Sequence, residues 1–160
     1  MMNIRPITTA DNGEIAKIIR EVLTEFGANK PGFAWQDPEL DFMAEAYYKR
    51  GRAYWVVESG GRILGGGGIA EFNCQEPKVC ELQKMYLLSE TRGLGLGAKL
   101  IDKLVIVAGE MGYRSCYLET LSSMSGAIAL YKKKGFMRLQ LPMGDSGHSA
   151  CDEWYSKRLC

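Results

Sequence analysis

Three glycines at alternate positions, in Arg92-Gly93-Leu94-Gly95-Leu96-Gly97, are the residues whose type and spacing point most directly to chemistry. Glycine lets the backbone come close to a ligand. Leu96, Leu100, Leu104 and Ala108 recur at four-residue spacing and predict an amphipathic helix starting within this run. A helix start presents free N–H groups and the positive end of the helix dipole, which together suit a phosphate. Read alone, the same glycines fit tight strand-to-helix packing with no ligand equally well. Two familiar phosphate loops are set aside. A Walker loop needs Gly-Lys followed by Ser or Thr, whereas Gly97 is followed by Ala98-Lys99. The dinucleotide GxGxxG turn tolerates Ala98 at its third position, but it follows the first strand of its unit, and here the strand lies mid-chain. Glu119 is the candidate for that motif's acidic partner, and it is not convincing.

The elements that must position this turn read clearly. Ahead of it, Cys80–Leu88 alternates Glu81 and Gln83 with Leu82 and ends in Met85-Tyr86-Leu87-Leu88, a strand entering a buried sheet. Upstream, Asn3–Thr8 reads as an edge strand carrying Pro6. Asp11 and Glu14 resemble a capping pair for a helix bearing Ile15, Ile18, Ile19, Val22, Leu23 and Phe26, which Gly27 ends. A loop follows with exposed-looking Phe33 and Trp35. Asp37-Pro38 then reads as cap and first position of a second helix running to about Arg50, with Phe42, Met43, Ala46 and Tyr47 facing inward. Ala53–Glu58 and Arg62–Glu71 flank a Ser59-Gly60-Gly61 hairpin turn, and Gly65 to Gly68 suggest a bulge or a close backbone approach in the second strand. Downstream come a strand at Arg114–Glu119, a helix at Met124–Lys134 with Ser123 as cap, a strand at Phe136–Leu141, a turn-rich loop, and a last strand at Cys151–Leu159. The order is β-α-α-β-β-β-α-β-α-β-β.

Over Cys80–Phe136 the sequence resembles the GCN5-related N-acetyltransferase (GNAT) superfamily. Arg92-x-x-Gly95-x-Gly97 is similar to its pyrophosphate loop, Met85-Tyr86-Leu87 to its strand end, and Ala127 to Phe136 (AIALYKKKGF) to its AIxLYxxxGF segment. The element order matches as well. The resemblance implies an α/β (mixed α+β) GNAT fold, a twisted mixed sheet of about seven strands flanked by about four helices, in a single domain over residues 1–160.

It also implies acetyl-CoA as co-substrate. The backbone of Met85, Tyr86 and Leu87 would pair with the pantetheine arm as with an added strand, and the Met85 N–H would polarise the thioester carbonyl. Backbone N–H groups of Arg92, Gly93, Leu94, Gly95, Leu96, Gly97 and Ala98 would hold the pyrophosphate, helped by the Arg92 charge. The reaction would be direct attack of a primary amine, on a small molecule or a peptide, in a ternary complex. Tyr131 corresponds to the family's usual acid for the departing thiolate. Its ordinary pKa of ~10 lies above the ~8.5 of a thiol, so it donates only when hydrogen-bonded or when transfer is late. Glu81 occupies the position where several members carry a catalytic base; the other reading is a glutamate pairing a surface cation. The loop between the first two helices and the late hairpin shape the acceptor pocket in such proteins, which points to Phe33, Trp35, His148 and Asp152. Met124 stands where many members have Asn, so a polar contact falls to Ser122, Ser123 or Ser125 or is lost. That substitution keeps open a non-catalytic acyl-CoA sensor on the same fold. A nucleotide-binding protein would rest on the glycines alone.

Bulk properties narrow the partners. Twenty basic against nineteen acidic residues gives no field for nucleic acid or an anionic membrane. No apolar run approaches the ~20 residues of a membrane span, and MMNIRPITT lacks the apolar h-region expected of a signal peptide. Five cysteines without a CxxC pair fit reduced thiols in the cytoplasm, and a single histidine rules out a His-rich metal site. Cys80 and Cys116 read as small core residues rather than nucleophiles. Edge strands leave monomer and homodimer both open.

Overall fold

The computed structural model describes residues 1–159; Cys160, one of the five thiols counted above, lies outside the described residues. The strands are β1 (Met2–Pro6), β2 (Ala53–Ser59), β3 (Arg62–Glu71), β4 (Val79–Leu87), β5 (Ser115–Thr120), β6 (Met137–Leu139) and β7 (Glu153–Arg158). The helices are α1 (Asn12–Glu25), α2 (Met43–Tyr47), α3 (Leu96–Glu110) and α4 (Ser125–Lys133). The chain order is the one expected from hydrophobic period and turn residues. The strands form one sheet, ordered β1-β2-β3-β4-β5-β7-β6. Every neighbouring pair is antiparallel except β4 and β5, which run parallel.

Each sheet face carries its own core. Ile15, Ile19 and Leu23 of α1 pack with Leu40, Met43 and Tyr54 on one side. On the other, Leu100 and Leu104 of α3 pack with Leu118, Tyr131 and Tyr155. The four-residue repeat read in α3 is buried throughout: Leu96, Leu100, Leu104 and Ala108 are at most 3% exposed. No helix among the described residues is long and apolar enough to cross a membrane.

The second helix is shorter than expected. Pro38–Asp41 forms a 3-10 turn, Phe42 breaks away (φ −140°, ψ 50°), and only Met43–Tyr47 is α-helical. Side chains of this segment are bound elsewhere and hold it out of a continuous helix: Asp37 and Glu39 bind Lys84, and Arg20 binds Asp41. Phe42 consequently turns outward, half exposed. Asp11 does not cap α1 with Glu14. It is buried, takes two hydrogen bonds from Arg5 and accepts from the Thr8 backbone. Glu14 instead accepts from the Ile63 N–H. Ser123 does not cap α4, whose cap position is Met124.

The glycine run in β3 marks a close approach and two register shifts, against β2 and against β4. A Cβ on Gly66 or on Gly68 would lie 2.6 Å from the Tyr54 ring. Overpacking of this kind costs about 1–3 kcal/mol, so Gly66→Ala should lower stability by that amount in a denaturant melt. Gly109→Ala in α3, where nothing lies within 4 Å, should be neutral or gain up to about 1 kcal/mol.

Candidate functional site

Strands β4 and β5 pair at only three positions, Val79 with Ser115, Cys80 with Cys116 and Glu81 with Tyr117. Beyond Glu81 they part. β4 continues to Leu87 along β3, and β5 continues to Thr120 along β7. A cavity of ≈ 80 Å³ lies in this wedge, walled by Glu81 to Tyr86 of β4, Leu118 to Thr120 of β5, and Met124, Ala127 and Tyr131 at α4.

The parting is built into β4 by a bulge. Gly66 faces Tyr86 and Gly68 faces Gln83, so Lys84 and Met85 stand opposite Gly67 alone. Lys84 takes φ +47°, rare for a side-chain-bearing residue. The buried Tyr54 hydroxyl donates to the Lys84 carbonyl at 2.7 Å and holds it there. The extra residue shifts side-chain parity. Cys80 and Leu82 join the α3-side core, and after the bulge Met85 and Leu87 do so, while Tyr86 joins the α1 side.

Glu81 sits at the apex of the wedge, 5% exposed. The Gln83 amide donates to its Oε1 at 2.6 Å, and the Tyr47 hydroxyl donates to the Gln83 Oε1 at 2.6 Å, a chain running from α2 to the carboxyl. Burial pushes the Glu81 carboxyl up to about 7; Gln83 opposes, nearby Glu119 adds, and His148 and Lys84 oppose. Glu81 forms no ion pair among the described residues.

Tyr131 lies across the cavity, 7% exposed, packed on Phe136 and Tyr155. Its hydroxyl makes no hydrogen bond among the described residues and keeps an accessible face, while burial, with a smaller contribution from Cys116, pushes it up to about 12. Cys151, also lining the cavity, is pushed up to about 12 by burial and by Glu119 and Glu81, and Cys116 is raised beside Cys80 and by burial. These thiols stay protonated, so neither is an activated nucleophile.

Two loops meet beside the cavity. His148 Nε2 lies 2.9 Å from Asp37, and the Lys84 ammonium, only 3% exposed as a side chain, lies 2.8 Å from Asp37 and 3.0 Å from Glu39. Burial works against the His148 charge, but Asp37 outweighs it and raises the imidazole above its ordinary value. Gln36 donates to the Gly147 carbonyl and Ala150 to that of Gly32, fastening the same loops together.

In the turn ahead of α3, Gly93 and Gly95 take φ +80° and +77°, the left-handed region open to glycine, and Gly95 caps α3. Among the described residues the N–H groups from Gly93 to Ala98 meet no acceptor. That cradle and the open wedge fit a pyrophosphate with an extended arm. Gly97 also serves packing, since a Cβ there would lie 2.8 Å from Leu130. Arg92 does not point freely at this cradle. Its guanidinium binds Glu25, donates to the Leu87 carbonyl at 3.0 Å, and lies over the Phe26 ring.

The family model described as Acetyltransferase (GNAT) family matches residues 16–136. The chain belongs to the GNAT family of acetyltransferases. It is 45% identical to the uncharacterized N-acetyltransferase YjgM of Escherichia coli (strain K12), over 93% of this chain and 90% of that protein. The fold is that of a GNAT-family acetyltransferase from Staphylococcus aureus Mu50, with a TM-score of 0.88, 21% identity and full coverage of both chains. It is also that of YncA from Salmonella typhimurium, solved with its cofactor acetyl-CoA, with a TM-score of 0.75, 21% identity, and 100% and 95% coverage. By family the GNAT chain is an acyltransferase.

Of the expected acceptor residues, Phe33 and His148 line the cavity. Phe33 is buried rather than exposed. Trp35 packs on the α1-side core, away from the cavity lining. Asp152 holds the Ser122 N–H and hydroxyl at 2.9 and 2.8 Å, which also occupies Ser122. Lys84 escaped the sequence reading, although a charge interrupting the alternation after Gln83 is the mark of a bulge. Asp37 read as a helix cap and Glu119 as a poor nucleotide ligand; only the fold shows Glu119 lining the cavity from β5 and Asp37 holding the cavity's Lys84 and His148. Removing the Lys84 charge leaves Asp37 and Glu39 facing one another. Lys84→Met should therefore cost about 3–5 kcal/mol, measured by denaturant unfolding at pH 7.

Proposed function

We propose that the chain transfers an acetyl group from acetyl-CoA to a primary amine by direct attack in a ternary complex. The observation that carries this reading is the pairing, across one cavity, of a buried carboxyl titrating near neutrality with a buried phenol lacking a partner. A cradle of free N–H groups at the start of α3, whose Gly97 lies beside Met85 of the cavity wall, supplies the place for the cofactor. The YncA complex with acetyl-CoA supports that choice of donor.

In this reading Met85 to Leu87 present backbone to the pantetheine arm along the side of β4 that β5 vacates, and the Met85 N–H faces the thioester oxygen. The glycine turn and the first turn of α3 hold the pyrophosphate. Arg92, committed to Glu25, fixes the loop rather than gripping the phosphates. The acceptor arrives as an ammonium and gives one proton to Glu81, directly or through water. Its nitrogen forms the bond to the acyl carbon, the carbon–sulfur bond breaks, the nitrogen's second proton passes to the departing sulfur, and Tyr131 steadies the charge there by donating a hydrogen bond. The products are the N-acetylated amine and CoA.

Two substitutions test the roles. Tyr131→Phe should lower kcat by about 10²–10⁴-fold while leaving the CoA Kd within about threefold. Equal losses in both would remove its role at the sulfur. Glu81 acts as a base only when charged, so the rate should rise with pH through about 7, and Glu81→Gln should flatten that limb. Because the folded-state value is raised, the neutral carboxyl is the form that favours folding, and that stability is lost as pH climbs through about 7. Glu81→Gln should accordingly raise the unfolding midpoint at pH 8 while abolishing the limb. A base whose only task is structural would not combine the two effects.

A further inference from the structure

We propose that Glu119, together with Glu81, forms an acceptor subsite selective for a compact alkylammonium ion that carries no carboxylate. The inference rests on the acetyl-transfer reading of the same cavity and names the acceptor's chemical class. Glu119 lines the cavity from β5, opposite β4. Its two oxygens accept from hydroxyls, Oε2 from Tyr117 at 2.6 Å and Oε1 from Ser146. Neither Glu119 nor Glu81 has a cationic partner among the described residues. Both cations that line the cavity are committed: Lys84 to Asp37 and Glu39, His148 to Asp37.

A ligand entering here meets two carboxyls without a counter-ion and no cation without one. An ammonium is attracted; a carboxylate on the same small molecule finds no donor of opposite charge and adds repulsion. A second observation places a ligand in this space. Glu81 and Tyr131, each more than nine-tenths buried, both line the cavity, and the Tyr131 hydroxyl makes no hydrogen bond among the described residues. Because no fully buried polar side-chain atom there lacks a partner, that hydroxyl keeps an accessible face, free to meet a ligand or water. The ≈ 80 Å³ volume admits an ammonium and a short carbon stem rather than a ring system. Glu119 is in this sense an acceptor-binding residue, while Glu81 receives the proton.

The test is calorimetry on the whole protein saturated with CoA, titrated with propylamine or with β-alanine, which share a terminal ammonium and differ in the carboxylate. Propylamine should bind at least about tenfold more tightly, and Glu119→Gln should weaken it about tenfold or more while leaving CoA binding intact. Ser146→Ala removes the same loop contact but keeps the carboxylate. It should leave propylamine binding within about threefold, which separates ligand recognition from loop support. Equal or tighter binding of β-alanine, binding of neither amine, or an unaffected Glu119→Gln would each overturn the subsite. Acetyl transfer is read separately, on CoA-free protein with the same two amines, by thiol release from acetyl-CoA. Selective binding without release would reject the transfer reading and keep the subsite; release with both amines used equally would do the reverse.

Discussion

Everything at the site depends on one contact, the Tyr54 ring lying against the bare backbone of β3 with its hydroxyl on the Lys84 carbonyl. The ring can come so close because positions 66 and 68 lack a Cβ. The hydroxyl holds Lys84 in a backbone conformation that side chains disfavour, and the resulting bulge swings the remainder of β4 away from β5. Without the extra residue the strand would keep its alternation, and Met85 and Tyr86 would exchange faces. The wedge and its apical carboxyl are thus consequences of a packing choice made on β3, three strands from the sheet edge.

The same bulge explains the charges. It brings the Lys84 ammonium under the α1–α2 connection, where Asp37 and Glu39 meet it and His148 closes on Asp37 from the β6–β7 loop. A buried cation with two carboxylates is a poor source of net stability but a strict geometric lock, because removing one member strands the others. The lock also fixes which charges a ligand can feel. With the cations spent on the roof, the carboxyls at the floor are left to act.

Much of this was legible in the sequence where period and turn chemistry act locally. The α1 and α3 stripes, the Ser59-Gly60-Gly61 hairpin and the glycine turn before α3 each follow from side-chain spacing or backbone freedom, and each stands as read. Glu81 and Tyr131 were named from the resemblance to the GNAT family, and the structure brings both to one cavity. What local rules missed are the features set by distant partners. Asp37-Pro38 carries a sound helix-start signal, yet the Asp37 carboxylate goes to Lys84 and His148, and the helix starts later. Arg92 belongs to a phosphate motif, yet Glu25, far away in sequence, takes its guanidinium. Asp152 looked like a substrate ligand and is instead the partner of Ser122. A charge's role depends on which opposite charge the fold delivers, and spacing along the chain does not encode that.

The phenol imposes a further limit on chemistry at this cavity. With Tyr131 pushed up to about 12 and a thiol near ~8.5, moving the proton fully to a thiolate is uphill by about 5 kcal/mol. Under the acetyl-transfer reading, Tyr131 therefore acts chiefly by holding its proton and sharing it. With no hydrogen-bond partner among the described residues, that hydroxyl is left to give its hydrogen bond to whichever group gains negative charge beside it. The burial that makes the phenol a weak acid also strengthens that bond, because little water screens it. Burial acts on Glu81 differently: desolvation lifts its carboxyl to about 7, which under the same reading matches a base to neutral pH. In that reading one wedge tunes its two walls to unlike tasks, proton acceptance on β4 and charge stabilisation at α4.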